Sequence, residues 1–195
     1  TEGFYIKPRI DKELLREHAG GLIALSACLA GEIPRLLRNG QYEDAKKEAL
    51  AMRELFGEDG YYLELQDHNL PEDHQILQGL LRVHEDTGIP LVCTNDAHYL
   101  TRADAHTQDV LMCSQMGKTV DDPGRMKFET EEFYLKSDEE MAAVFALYPE
   151  ALENTQKIAD LCNVEFQFGT YHLPEFKLPE GWTDGDAYFE KLCLD

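Results

Sequence analysis

The sequence predicts an α/β fold, on three observations. Short apolar runs recur along the chain, each is followed by a longer segment with helical apolar spacing, and glycine, proline or capping residues stand at the junctions. Strands alternating with helices through short connections imply parallel strands and right-handed crossovers, hence an α/β layer or a barrel.

The elements follow in order. Gly21-Leu22-Ile23-Ala24-Leu25-Ser26, an apolar run after glycine, reads as a buried strand. Gly31 to Leu37 reads as a short helix ended by Asn39-Gly40. Gln41 to Phe56 sets Ala45, Ala49, Met52 and Phe56 at helical spacing, with Gly57 as the C-terminal cap. Tyr61-Tyr62-Leu63-Glu64-Leu65 is rich in aromatics and reads as a strand. Pro71 stands as a first-turn proline, Ile76, Leu77, Leu80, Leu81 and His84 follow on one face, and Gly88 closes the helix. Ile89 to Thr94 is the next strand. Thr101-Arg102-Ala103-Asp104 has the form of a capping box, opening a helix to about Gln115, and Ser137-Asp138-Glu139-Glu140 that of a second, opening a helix through Leu147. Pro149 starts another, with Ala151, Ile158, Ala159 and Cys162 on its buried side. From about Thr170 the pattern breaks down. Leu173-Pro174, Leu178-Pro179 and Gly181 read as a linker and Trp182 to Asp195 as the start of a further element, which divides the chain into 1–172 and 173–195.

The 195 residues are 43% hydrophobic and 29% charged, the balance of a globular domain long enough to bury a core. The net charge is −20. A surface this acidic does not grip a phosphate backbone, which demands clustered cations; it fits a metal site or a basic partner. No apolar run is long enough for a bilayer, and Thr1 to Asp11 carry no signal-peptide core, so the expectation is a soluble cytoplasmic protein. The five cysteines, Cys28, Cys93, Cys113, Cys162 and Cys193, are odd in number, widely spaced and without a CxxC. That pattern opposes a disulfide framework and a zinc ribbon, and leaves the thiols reduced and mostly buried.

The residues with chemical potential gather after the strand-like runs. In Thr94-Asn95-Asp96-Ala97-His98-Tyr99, extended backbone puts Asp96 and His98 on one side, at the strand end where parallel α/β folds carry their sites. A carboxylate and an imidazole are a normal mixed ligand pair for zinc, manganese or iron; a turn aspartate beside a surface histidine has the same spacing. Cys28 lies two residues beyond Ser26, where a thiolate could join a metal, although a lone cysteine is more often a small buried hydrophobe. Glu64, within the run Tyr61 to Leu65, and Asp67 and His68, just after it, read as neighbours of a site rather than ligands, with Asp67 to Asn69 a turn. His74, His84 and His106 fall on helices as packing or surface residues. Glu129 to Glu140 reads as a solvated loop and helix start. Asp121-Asp122-Pro123-Gly124 reads as a turn rather than a magnesium-holding aspartate pair. Glycine-rich phosphate loops, Gly-x-Ser-x-Gly and His-Glu-x-x-His are absent.

The stretches Glu2 to Asp11, Ala24 to Pro34, Thr94 to Tyr99, Asp121-Asp122-Pro123, Glu132 to Lys136, Glu139-Glu140-Met141, Asn154-Thr155, Ile158-Ala159 and Cys162-Asn163-Val164 stand in one order along the chain. In that order they resemble the PHP (polymerase and histidinol phosphatase) domain of bacterial DNA polymerase III α subunits. The resemblance implies a distorted parallel (β/α) barrel binding several metal ions through His, Asp, Glu and Cys. It makes Cys28, Asp96 and His98 metal ligands, with Glu64 and His68 as possible lining of the site. The family opens on a His-x-His strand that this sequence lacks, so the resemblance implies the later part of the domain, without its first strands.

The implied parent is a DNA-directed DNA polymerase of DNA replication, with zinc, manganese or iron at the PHP site and magnesium at a polymerase site outside these residues. Its implied partners are DNA, deoxynucleoside triphosphates, a sliding clamp and a proofreading exonuclease, with no membrane. The segment itself is expected to be inactive alone, and three roles stand beside one another. It serves phosphoesterase or 3′–5′ exonuclease chemistry, it is a non-catalytic docking or bracing module, or the chain is a stand-alone metal-dependent phosphatase.

Overall fold

The computed structural model of the chain describes residues 4–171 and 176–194, with side chains from Ile6 onward. Glu2 and Gly3 of the first motif, and Leu173-Pro174 of the expected linker, lie outside the described residues. The chain divides into two compact units, Thr1–Cys162 and Asn163–Asp195.

In the first unit, β1 (Phe4–Tyr5) and β2 (Lys7–Pro8) pair antiparallel, and α1 (Lys12–His18) follows. The Asp11 carboxylate caps α1 by accepting the Leu14 N–H at 2.9 Å. Then come β3 (Ala24–Leu25), α2 (Glu32–Arg38), α3 (Tyr42–Phe56), β4 (Tyr61–Leu65), α4 (Pro71–Thr87) and β5 (Leu91–Cys93). The three strands form one parallel sheet in the order β3-β4-β5, with Ala24 opposite Tyr61 and Leu65 opposite Cys93. A 3₁₀ turn (Arg102–Asp104), α5 (Ala105–Met116), α6 (Asp138–Val144) and α7 (Pro149–Leu161) complete the unit. In the second unit α8 (Gly185–Leu194) sets Tyr188 against Trp182 and Phe176, with centroids 5.1 and 6.0 Å apart.

Local signals fix most of these elements. β4 is buried except at Glu64, as a central parallel strand must be. Pro71 opens α4 with its ring pre-set for the helix. Gly88 closes it at φ 70°, donating to the His84 carbonyl at 2.7 Å; a side chain would be strained there. Both expected capping boxes form, at Thr101/Asp104 and Ser137/Glu140. The core joins Ile76, Leu77, Leu80 and Val83 of α4 to Leu63 and Leu65 of β4, with Phe145 and Ala151 from the later helices. Each such aliphatic side chain contributes roughly 1.5–3 kcal/mol by leaving water.

Several expectations are corrected. The run from Gly21 to Ser26 forms a strand only at Ala24–Leu25, and Leu22 is half exposed. β3 is an edge strand, and with Leu15, Leu22, Ile23, Met52 and Phe56 it lines a cavity of about 390 Å³, where Ala24 and Leu25 are only half-buried. The described strands make an open sheet. α6 ends at Val144, before Leu147, and its C-cap Phe145 is buried in the core. On α7 the buried positions are Ala151 and Asn154, whereas Ala159 and Cys162 are exposed; only the first turns of this helix lie on β5. Cys93 and Cys113 are buried, Cys28 is half-buried, and Cys162 and Cys193 are exposed, so burial is not the rule for these thiols. No helix among the described residues is long and apolar enough to cross a membrane.

Asn154 closes the β5 edge. Its Nδ2 donates to the Leu91 carbonyl at 2.7 Å, and its Oδ1 accepts from Lys157 Nζ at 2.9 Å. A strand carbonyl buried without a partner costs about 1–3 kcal/mol. Replacing Asn154 by alanine should therefore lower unfolding stability by about that amount in a urea titration. A loss below about 0.5 kcal/mol, the range of ordinary surface changes, would show that the contact carries nothing.

Candidate functional site

The parallel sheet delivers its candidate residues after the C-terminal ends of its three strands. β3 leads through Ser26 and Ala27 to Cys28, β4 through Gln66 to His68, and β5 through Thr94 to Asp96 and His98. The strand ends are stitched laterally. Ser26 Oγ accepts the Glu64 N–H at 2.8 Å, Gln66 Nε2 donates to Thr94 Oγ1 at 3.0 Å, and the Thr94 hydroxyl donates to the Glu64 carboxylate. Glu64 is therefore a half-buried hydrogen-bonding hub rather than a solvent-facing strand residue.

Asp96 and His98 come together as expected. His98 Nε2 stands 3.2 Å from Asp96 Oδ1, and both side chains are a little over one-third exposed, within reach of a ligand from solvent. Cys28 sits elsewhere, on a narrow cavity bordered by Glu64, Gln66 and Asp73. The loop carrying it is tight. Ala27 has φ 65°, a conformation that costs an L-residue roughly 1–2 kcal/mol. A β-carbon on Gly31 would lie 2.5 Å from the Ser26 carbonyl oxygen. Cys93 ends β5, but burial pushes its thiol up to about 11, so it supplies no thiolate near neutrality.

A metal is what this donor set suits in kind: carboxylate, imidazole and thiol. In number it falls short, because among the described residues no group of three His, Cys, Asp or Glu side chains converges as a metal site. Of the three expected ligands, Asp96 and His98 touch each other, while Cys28 lines a separate cavity.

The pair is held from a direction that sequence reasoning missed. Residues 133–135 bind to the turn after β5. The Phe133 carbonyl accepts the N–H groups of His98 at 2.7 Å and Tyr99 at 3.3 Å, Leu135 N–H donates to the Tyr99 carbonyl at 3.0 Å, and Asn95 Nδ2 donates to the Tyr134 carbonyl at 2.9 Å. The Phe133 ring meets His98 edge-on at 5.8 Å, and Phe128 leans on His98 at 4.7 Å. The acidic stretch from Glu129 to Glu140 is thus no simple solvated loop: Phe133, Tyr134 and Lys136 within it are buried. The one signal for this was the aromatic pair Phe133-Tyr134 amid the charges.

His68 is buried as well, at 3% exposure. Its backbone N–H donates to Asp73 Oδ2 at 2.8 Å, its Nδ1 lies 3.5 Å from the same oxygen, and its carbonyl accepts the Thr130 hydroxyl at 2.8 Å. Its ring stacks on Phe133 at 4.2 Å with 6° between the planes. Beside it the expected turn forms, with Asn69 N–H on Asp67 Oδ1 at 2.8 Å. His74 and His106 are exposed on helices, and His84 Nδ1 is 2.7 Å from the Ile89 carbonyl. Residues 121–124 form the expected turn, in which Thr119 N–H donates to Asp122 Oδ2 at 2.7 Å.

Burial alone would raise the pKa of Asp73, but the hydrogen bonds and charge of His68, with the Leu70 backbone, outweigh it and hold the carboxyl below its ordinary value. A lowered folded pKa means that the stability due to Asp73 is complete above the ordinary carboxylate range and is lost as pH falls through the folded value. Asp73→Asn should therefore be less stable than the parent chain at neutral pH, with the gap narrowing below about pH 4. A gap that stays constant across an acid titration would contradict this.

The PHP domain family model matches residues 1–68. The DNA polymerase III subunit alpha of Treponema pallidum is 46% identical over 191 residues, covering 98% of this chain and 16% of that protein. That of Borreliella burgdorferi is 43% identical over 195 residues, covering 100% of this chain and 17% of that protein. That of Deinococcus radiodurans is 44% identical over 187 residues, 93% of this chain and 14% of that protein. The chain thus spans about one-sixth of the length of these relatives. Over nearly its whole length the chain is homologous to one segment of the DNA polymerase III α subunits, and its first third matches a PHP domain.

Proposed function

We infer that the chain is a segment of a replicative DNA-directed DNA polymerase, the later part of a PHP barrel within a polymerase III α subunit. The observation that carries this is the 46% identity to the Treponema pallidum protein across 98% of the chain. On this reading nucleotidyl transfer, with its magnesium, belongs to other parts of the parent. So do the contacts with DNA and deoxynucleoside triphosphates, consistent with the chain's net charge of −20. A sliding clamp and a proofreading exonuclease would be partners of the parent, and the parent would work in the cytoplasm.

Within the parent this segment supplies Asp96, His98 and Cys28 to a PHP metal site, with Glu64 and His68 behind it. A zinc, manganese or iron ion held there would polarise a phosphoryl oxygen and activate water, the chemistry of a phosphoesterase or 3′–5′ exonuclease. The residues of this chain present donors rather than acids or bases: the exposed carboxylate of Asp96 and Nε2 of His98 share one spot beyond the end of β5. A bracing role for the segment is favoured by a different observation. Glu64 and Asp73 already bond Thr94 and His68, and among the described residues no three donors converge.

Two measurements test these readings. The chain is exchanged for the matching segment of the Treponema pallidum α subunit, and primer extension is assayed. Retained extension supports the polymerase reading, and a folded but inactive hybrid contradicts it. Elemental analysis of that hybrid and of its Asp96→Ala/His98→Ala form then decides between ligand and brace. Loss of bound metal in the double variant is expected for ligands; unchanged metal with lowered thermal stability points to bracing alone. The isolated chain should hold little tightly bound metal in either form.

A further inference from the structure

The Asp96–His98 pair lies beyond Cys93, the last residue of β5, so it is fixed not by the three-stranded sheet but by the isolated parallel bridge between Tyr99 and Tyr134. Its support runs through a path of contacts far apart in sequence. Asp73, in the first turn of α4, holds the backbone and ring of His68. The His68 ring lies flat on Phe133, and the His68 carbonyl anchors Thr130. Phe133 then accepts the His98 N–H and places its ring edge against the His98 imidazole, while Phe128 packs on both, 4.4 Å from Phe133.

Ordinary core packing accounts poorly for a histidine at the centre of this path. A buried imidazole gives up hydration that an aliphatic residue never had, and the loss is made good only by specific bonds. Here the N–H, the carbonyl and the ring of one residue are all committed, in directions that join α4 to residues 130–133. A residue fixed on three sides transmits position, in the way that hydrogen-bonded outer-shell partners fix the orientation of a ligating imidazole.

We propose that His68 is a positioning residue for His98: held from behind by Asp73, its ring is the plate on which Phe133 lies, and Phe133 fixes both the backbone and the ring of His98. The role of His98 as a metal ligand rests on the reading above, whereas its positioning by His68 does not.

The test uses the 195-residue chain, with the imidazole proton resonances of His98, assigned through His98→Gln, as the readout. In the parent chain these protons lie near two phenyl rings and are shifted from solvent-exposed values. His68→Ala should return them toward exposed values. His68→Phe, which keeps a flat ring against Phe133, should preserve the shift. Val83→Ala, a core truncation in α4 outside the path, should lower the melting temperature and leave the His98 resonances in place. If His68→Ala fails to fold, His68→Leu, which fills the space without a flat ring, makes the same test with Phe133 left in place. His98 resonances that stay put in a folded His68→Ala or His68→Leu chain, or that move equally in Val83→Ala, would overturn the proposal.

Cobalt(II) titration of the same samples separates this outcome from the ligand reading. Weakening of about tenfold or more in His68→Ala is expected if His98 ligates. Absence of cobalt binding in the isolated chain, with His98 still dependent on His68, would leave the positioning standing, and the ligand reading is then decided by the elemental analysis of the hybrid polymerase.

Discussion

The flat contact between the His68 ring and Phe133 is the junction on which the site depends. On one side of it stands the ordinary core of the first unit, the parallel sheet with α4 packed on it. On the other lies a stretch of chain with little regular structure, residues 127–136. Without the junction this stretch would have few buried groups to hold it, and the turn carrying Asp96 and His98 would lose the backbone it pairs with. Parallel α/β folds place candidate residues at strand ends cheaply, but they do not orient them once the strand has ended. Here the orientation comes from outside the sheet, through hydrogen bonds to the Phe133 and Tyr99 carbonyls.

Charge and burial divide the labour in the same region. The stretch around Phe133 is acidic on its surface, yet Lys136 is buried under it, with its ammonium 4.4 Å from the Tyr134 ring centroid and bonded to the Glu132 carbonyl. Arg102 reaches the same place from the 3₁₀ turn, pairing with Glu132 at 2.6 Å and lying over Tyr134. A buried cation is tolerable only where carboxylate, carbonyl and π-face replace its water. These contacts tie Tyr134, and through its carbonyl Asn95, to the turn that presents Asp96. The half-exposed Arg102–Glu132 pair adds little to stability, whereas removing a partner of the buried Lys136 would leave a buried charge uncompensated; together these contacts register one segment on another.

Much of the fold was legible because its signals are local. β4 is the five-residue run Tyr61–Leu65 that the aromatics marked. Pro71 and Gly88 bracket α4, and both capping boxes sit where serine or threonine precedes the acidic partner. The extent of β3 was not legible, since an apolar run states a demand for burial without saying whether both neighbours are present. Nor was the buried face of α7: spacing put Ala159 and Cys162 beside Ala151, but the helix leaves β5 before reaching them. In the site, the Asp96–His98 contact follows from period-two geometry. The burial of His68 and the clamp formed by Phe133 do not, because those contacts close loops of 35 residues and more, and the intervening acidic run masks its two aromatics.

The claim at the centre of this account is that residues 133–135 form a fixed part of the site and hold the Asp96–His98 turn. Amide hydrogen exchange measured residue by residue on the 195-residue chain tests it most directly. The account predicts that the amides of His98 and Leu135, bonded to the Phe133 and Tyr99 carbonyls, exchange as slowly as that of Thr94, which is bonded to Leu65 in the sheet. Exchange of His98 and Leu135 at the rate of open loops, while Thr94 stays protected, would contradict it.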